Sequence, residues 1–223
     1  LEPLSSSQAV LSPDEQEVGV VLVDIGGGTT DVTIYSEGSI VHTSVLALGG
    51  NHLTHDIAIG LGAPLREAEE IKHKFGVAMA NMVEENEMID VPSVGGRNNR
   101  TMQKRVLASI IEDRFREIFE LIAHEIEKTH FHTLMASGVV ITGGTCIMSG
   151  ADRLASQVLN LPVRVGYPEN ISGLREMIYS PKYATSVGLV RYGITSNQGK
   201  LNFVGDDTNL FHKVSRRMKD WMQ

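Results

Sequence analysis

Two rhythms of apolar positions run through the chain. Val20-Val21-Leu22-Val23-Asp24-Ile25 is nearly all apolar, as expected of a fully buried strand, and glycines 26, 27 and 28 stop it. Asp31-Val32-Thr33-Ile34-Tyr35 alternates, Ser36-Glu37-Gly38-Ser39 turns, and 40–46 reads as a third strand. Strand, glycine loop, strand, turn, strand predicts an antiparallel meander. Gly49-Gly50-Asn51 then opens a helix to about Leu61, with Asn51 as its N-cap. Pro64 starts a second helix, supported by Glu69, Glu70, Lys72 and Lys74 at i,i+4 spacing and ended by Gly76. Residues 77–100 mix short strands and loops. Leu107, Ile110, Ile111, Phe115, Ile118, Phe119, Ile122 and Ile126 keep helical spacing, so the longest helix is predicted from Thr101 to about His130. A second buried strand, Gly138 to Thr142, ends in Gly143-Gly144. A helix over 150–159, a strand over 162–165 and a helix over 183–192 follow. The polar opening, with Pro3, Pro13 and Ser5-Ser6-Ser7, reads as unstructured, so structure is expected to begin at Gly19.

Composition narrows the class. In 223 residues, 42% are hydrophobic and 21% charged, which indicates a globular chain rather than a disordered one. A net charge of −7 argues against a nucleic-acid partner. One cysteine, Cys146, excludes an internal disulfide framework and fits a reducing compartment; it reads as a small buried residue rather than a nucleophile. No apolar run approaches the roughly 18 residues of a membrane-spanning helix. The first residue is Leu1 rather than Met, so an N-terminally incomplete chain is expected.

The glycine junctions carry the candidate chemistry. Asp24-Ile25-Gly26-Gly27-Gly28-Thr29-Thr30-Asp31 lies between two strands, and Ile141-Thr142-Gly143-Gly144-Thr145 follows about 115 residues later. Consecutive amides in a glycine turn can cradle phosphate oxygens, threonine hydroxyls add donors, and Asp24 could hold water around Mg²⁺. Glycines also make ordinary hairpin turns. Neither segment is a Walker A loop or a Gly-x-Gly-x-x-Gly motif.

Together these segments resemble the actin-like ATPase superfamily. Asp24 to Asp31 looks like its second phosphate hairpin, Val140 to Thr145 its adenosine motif, and Ala184 to Gly188 its second connecting helix. Within it, Leu22 to Asp31, Leu48 to Ala58, Ala68 to Lys72, and Ile141 to Thr145 with Gly150-Ala151 resemble the FtsA family of bacterial cell-division proteins. The resemblance implies an α/β, ribonuclease H-like fold: actin-like lobe II with a small inserted α+β subdomain and a C-terminal amphipathic helix. It implies a flexible remnant at 1–13, subdomain IIA at 14–62 and 136–196, subdomain IIB at 63–135, a linker at 197–208 and a targeting helix at 209–223. ATP and Mg²⁺ are the implied cofactors. Gly26, Gly27, Gly28, Thr29 and Thr30 would contact phosphates, and Asp24 would sit in the Mg²⁺ outer shell. Gly143, Gly144, Thr145 and Ile147 would approach the adenosine. Lys72 would lie beside purine and ribose, or else on a solvated helix face. With one lobe of a two-lobed clamp, the chain is expected to bind ATP poorly and to be at most a weak ATPase.

The resemblance further implies an adaptor that tethers FtsZ filaments to the cytoplasmic face of the cell membrane at the division septum. It would also self-associate into filaments. Arg97, Arg100, Lys104 and Arg105 form a local basic cluster that would support docking of the FtsZ C-terminal peptide, or is a solvated helix start. In the tail, Leu210, Phe211, Val214, Met218, Trp221 and Met222 fall within an arc of roughly 120°, with Lys213, Arg216, Arg217 and Lys219 outside it. That pattern suits an in-plane helix on an anionic membrane surface, or a helix packed on the body or a partner. An actin-fold small-molecule kinase and a pilus-assembly ATPase remain as alternatives. His52 and His55, and His124, His130 and His132, are spaced closely enough to hold a metal, but no carboxylate–histidine motif accompanies them.

Overall fold

The structure, a computed structural model, describes residues 2–96, 98–129, 135–169 and 175–198. In chain order these form α1 (Glu2–Val10), α2 (Pro13–Val18), β1 (Val20–Ile25), β2 (Thr30–Ser36), β3 (Ser39–Leu46), α3 (Gly50–Leu61), α4 (Leu65–Phe75), β4 (Met88–Val91), β5 (Arg100–Gln103), α5 (Lys104–Lys128), β6 (Val139–Thr142), α6 (Ala151–Leu159), β7 (Val163–Val165), α7 (Arg175–Ile178) and α8 (Ala184–Gln198). The meander closes as expected. β1 pairs antiparallel with β2, and β2 with β3. On its other side β1 pairs in parallel with β6, and β6 with β7, giving one five-stranded sheet in the order β3-β2-β1-β6-β7.

The apolar run of β1 serves both faces of this sheet, because successive side chains point to opposite sides. Val21, Val23 and Ile25 join a large core with Leu53 and Ile57 of α3, Phe115 and Phe119 of α5, and Leu154 of α6. Val20 and Leu22 face a smaller cluster with Ala9, Val10, Tyr35, Val140 and Ala184. The larger core is continuous through α4, β4 and α5, so it spans residues on both sides of positions 62 and 135.

Of residues 1–13, expected as a flexible remnant, the described ones are largely helical. Ser5, Ser6 and Ser7 are buried under the sheet. Their small size lets α1 lie against α8 where Gly188 faces Ser5; a Cβ on Gly188 would stand 1.7 Å from the Ser5 carbonyl oxygen. Ser7 Oγ is 2.5 Å from Tyr35 Oη, which supplies a polar partner inside the layer. Pro13 does not break structure. It occupies the first turn of α2, where its missing N–H costs nothing, behind a Ser12–Glu15 capping box. Glu15 also receives Arg164 of β7 through Nε at 2.8 Å and Nη2 at 2.7 Å. Burial alone would raise this carboxyl, but the bonds from Arg164 and Ser12 outweigh it and hold it below its ordinary range.

Three boundaries also differ from expectation. The cap of α3 is Gly49, not Asn51. A Cβ at Gly49 would lie 2.7 Å from the Gly26 oxygen and 2.8 Å from the Gly27 oxygen, so the helix must start on glycine to approach the hairpin. Thr101 belongs to β5, paired with β4, and α5 starts only at Lys104. α8 continues through Gln198, so the linker expected from Asn197 begins inside a helix.

Candidate functional site

The two glycine junctions meet because β1 and β6 are parallel neighbours and leave the sheet at the same end. Gly26 N–H donates to the Thr29 carbonyl at 2.9 Å and closes the hairpin tip. The Gly26 carbonyl accepts from Gly50 N–H at 3.0 Å and from Thr145 Oγ1 at 2.9 Å, and the Gly27 carbonyl accepts from Asn51 N–H at 2.7 Å. The start of α3 is therefore satisfied by the hairpin's own carbonyls. In a planar trans peptide, C=O and N–H point in opposite directions. Anchoring the Gly26 and Gly27 carbonyls on α3 thus turns the N–H groups of Gly27 and Gly28 away from it, at an exposed tip. With Thr29 N–H they donate to no backbone partner among the described residues. Such a row of free amides is a concavity for an anion.

Gly143 sits at φ 92°, and a Cβ there would come within 2.4 Å of the Ile25 oxygen, so the second junction needs glycine to stay against β1. Gly144 has ordinary helical angles, and a Cβ on it would meet only the Lys182 Cβ, at 3.7 Å. A single 3-10 turn, Thr145–Ile147, follows. Its Cys146 is buried, and burial pushes that thiol far above its ordinary range.

Between the junctions lies a cleft of about 490 Å³, lined by Gly27, Asn51, Lys72, Gly144, Thr145, Ile147 and Lys182 among others. It brings together five of the residues expected at a nucleotide site: Gly27, Lys72, Gly144, Thr145 and Ile147. Gly28 and Thr29 are exposed beside it on the hairpin tip. Thr30 is a correction. It is fully buried, and its hydroxyl donates to the Leu48 carbonyl at 2.8 Å, so it fastens β2 to the end of β3 instead of facing a phosphate. Lys72 does not lie on a solvated face. It is 8% exposed, and its ammonium donates to the Gly50 carbonyl at 3.0 Å and Thr54 Oγ1 at 2.7 Å, with Glu69 at 2.7 Å. Burial would raise the Glu69 carboxyl, but Lys72 and Thr54 outweigh it and hold it low.

Asp24 Oδ2 accepts from Ser6 Oγ at 2.5 Å and from Thr185 Oγ1 at 3.0 Å, which ties the end of β1 to α1 and α8. Its cross-strand partner is Asp31. Burial, then the Asp24 and Glu2 charges, push the Asp31 carboxyl above its ordinary value. Among the described residues no group of three or more His, Cys, Asp and Glu is placed to hold a metal ion. His52 Nδ1 instead accepts from Gly49 N–H at 3.2 Å, and His55 and His124 are exposed; His130 and His132 lie outside the described residues.

The basic cluster does not converge. Arg100 donates to the Leu61 carbonyl, Lys104 pairs with Glu87 at 2.7 Å, and Arg105 lies 3.8 Å from Glu85. Arg97 lies outside the described residues, as do Leu210, Phe211, Val214, Met218, Trp221 and Met222. Two cleft residues, Asn51 and Lys182, were not expected at the site; Asn51 was expected only as a helix cap. The only trace of Lys182 in the sequence is Pro181-Lys182-Tyr183 leading into the small-residue helix, where the ammonium stands 4.7 Å over the Tyr183 ring.

A family model described as cell division protein FtsA matches residues 21–188. The chain belongs to the FtsA family. The FtsA of Pseudomonas aeruginosa is 40% identical over 228 aligned residues, covering 100% of this chain and 55% of the relative. The FtsA of Escherichia coli strain K12 is 42% identical over 227, covering 99% and 53%. The chain thus spans about half the length of the FtsA relatives it matches. Among solved structures, MreB5 of Spiroplasma citri bound to ADP superposes with a TM-score of 0.71 at 20% identity, over 90% of this chain and 61% of that one. A PilM–PilN type IV pilus biogenesis complex gives 0.64 at 17%, over 87% and 52%. These likenesses establish the actin-like α/β fold for this FtsA-family chain.

Proposed function

We propose that this chain is the ATP-binding second lobe of an actin-like cell-division protein. The whole protein tethers FtsZ filaments to the inner face of the cytoplasmic membrane at the septum and assembles into filaments of its own. The observation that carries the nucleotide reading is the orientation of the hairpin. Its carbonyls are spent on α3 and Thr145, so the amides of Gly27, Gly28 and Thr29 are left at the mouth of the cleft. Preorganised amides of this kind favour anionic phosphate oxygens over water. Gly144 and Ile147 leave the opposite wall open to a flat, largely apolar base.

Mg²⁺ fits this site as a companion of the nucleotide rather than as a resident ion. Asp24 supplies one carboxylate, partly occupied by Ser6 and Thr185, and magnesium keeps several waters when few protein ligands are present. When bound, the ion would neutralise charge on the phosphates. FtsZ-peptide docking near Arg100, Lys104 and Arg105 and membrane attachment by 209–223 rest on the family and on the sequence pattern.

The test is a titration of the 223-residue chain and its Gly144→Val variant with a fluorescent ATP analogue in magnesium. The wild type should saturate weakly, with a Kd of about 100 μM or above, because this lobe holds the nucleotide from one side. The variant should lose at least about fivefold, roughly 1 kcal/mol, with an unchanged melting temperature, since its Cβ meets only Lys182 at ordinary contact distance. Equal affinities, or no saturation by the wild type at millimolar analogue, would sink the assignment.

A further inference from the structure

The second glycine junction forms one wall of the cleft, and that wall is pinned at both ends. At the near end Thr145 Oγ1 donates to the Gly26 carbonyl at 2.9 Å. Ile147, Met148 and Ser149 then line the cleft, with Ile147 half exposed. At the far end the chain leaving α4 comes alongside. Val77 and Ser149 form an isolated parallel bridge, and Ala78 N–H donates to the Ser149 carbonyl at 2.9 Å. The two segments touch on either side of this bridge. A Cβ on Gly76 would stand 2.9 Å from Met148 Cε, and one on Gly150 would stand 2.7 Å from Met82 Sδ. Gly76 itself lines the cleft beside Met148 and Ser149. The wall is therefore built from two segments, and its outer one, 76–82, belongs to neither glycine junction.

What fixes the outer segment lies on α5. Ala78 and Met79 are buried in the large core and hold the segment by packing. Apolar packing is non-directional, so it does not by itself aim a backbone. Glu112 of α5 supplies the direction. Its Oε2 accepts from Ala80 N–H at 2.7 Å, and its Oε1 accepts from Arg116 Nη2 at 3.0 Å. Both carboxylate oxygens are thus engaged, which holds the side chain in one orientation. A bond from a backbone N–H to an ionised carboxylate is also stronger than one between neutral groups. Glu112 does not itself line the cleft.

We propose that Glu112 is a positioning residue for the base of the nucleotide. Through Ala80 it holds segment 76–82, and through the Val77–Ser149 bridge that segment holds Ile147 and Met148 at the spacing a flat ring requires. A wall left unsupported would drift, and a site that is loose by about 1 Å binds poorly. The inference rests on the nucleotide reading above and carries it outward to α5. It also separates the two ends of the ligand. The phosphate end is set by the hairpin, whose carbonyls are tied to α3 and Thr145 without Glu112. Loss of Glu112 is therefore felt by a ligand that carries a base and not by one made of phosphate alone. A general loosening of the fold would weaken both.

The experiment titrates this chain, Glu112→Ala and Glu112→Gln with a fluorescent ATP analogue in magnesium, then displaces the analogue with ATP or with inorganic tripolyphosphate. For Glu112→Ala the expected result is an ATP affinity about fivefold lower, with tripolyphosphate within about twofold of the wild type. Glu112→Gln keeps an oxygen that can accept from Ala80 N–H, and should return ATP affinity to within about twofold. A third measurement needs no variant: in the wild type, millimolar ATP should slow hydrogen exchange across 77–82, and tripolyphosphate should not. Equal losses for both ligands, an unchanged ATP affinity in Glu112→Ala, no recovery in Glu112→Gln, or exchange at 77–82 indifferent to ATP would each overturn the proposal and leave the nucleotide site standing. A wild type that does not bind the analogue, or an analogue that tripolyphosphate does not displace, would remove the nucleotide reading and this inference with it.

Discussion

Lys72 stands where the cleft meets the packing of α3 on α4, and all three of its ammonium protons have acceptors. Its first duty is structural. Lys72→Met should cost about 1–3 kcal/mol in denaturant unfolding, because it takes the charged donor away from the Gly50 carbonyl, Thr54 and the Glu69 carboxylate. Part of that loss should vanish in acid. Glu69 is held low in the folded state, so its contribution is present above the unfolded pKa and fades as pH falls through the folded one. Asp31 has the opposite sign. Its folded pKa is raised, so stability falls as pH climbs from the unfolded value to the folded one, and at neutral pH the cost is fully expressed. Asp31→Asn should therefore raise the melting temperature at pH 7 and leave it unchanged near about pH 2.5, where both states are protonated. A variant less stable at neutral pH would show that the carboxylate has a partner of its own. Of the site residues, the glycines were legible because their spacing to the strands is local. The fate of Thr30 was not, since its acceptor, Leu48, is 18 residues away.

At the scale of elements, strands read well and the N-terminal helices did not. β1 and β6 are apolar runs cut off by glycines, a signal that needs no knowledge of neighbours. α1 buries serines instead, and apart from Ala9 and Val10 it offers no apolar stripe, so polarity misleads about burial. What places it is tertiary: a passing helix with no side chain at Gly188. Gly188→Ala should therefore destabilise by about 1–3 kcal/mol, an overpacking effect, and should speed proteolysis within residues 2–10. An unchanged cleavage rate would mean that α1 is held by the Asp24 and Tyr35 hydroxyl contacts alone. The start of α3 is a similar case. Asn51 is the better cap by residue type, yet Gly49 occupies that position because the hairpin leaves no room for a Cβ.

At the scale of the whole molecule, residue patterns alone gave a meander and two strand–glycine junctions, and it was their resemblance to the actin-like superfamily that placed the chain in that fold. The cleft's outer wall was less legible. Lys182 reaches it because the turn before α8 comes back to the end of β6, where Thr142 Oγ1 donates to the Pro181 carbonyl at 3.4 Å, and no local pattern encodes that return. The bond from Thr145 to Gly26 joins residues 119 apart in the chain. Closing so long an interval is a slow, entropically costly event, and it reopens when β6 leaves β1. Whatever spans the hairpin and the second junction is thus a clasp on the longest-range strand pairing of the sheet. A ligand bound there would lengthen the life of the folded state as well as deepen it, and the empty lobe would be the form exposed to degradation.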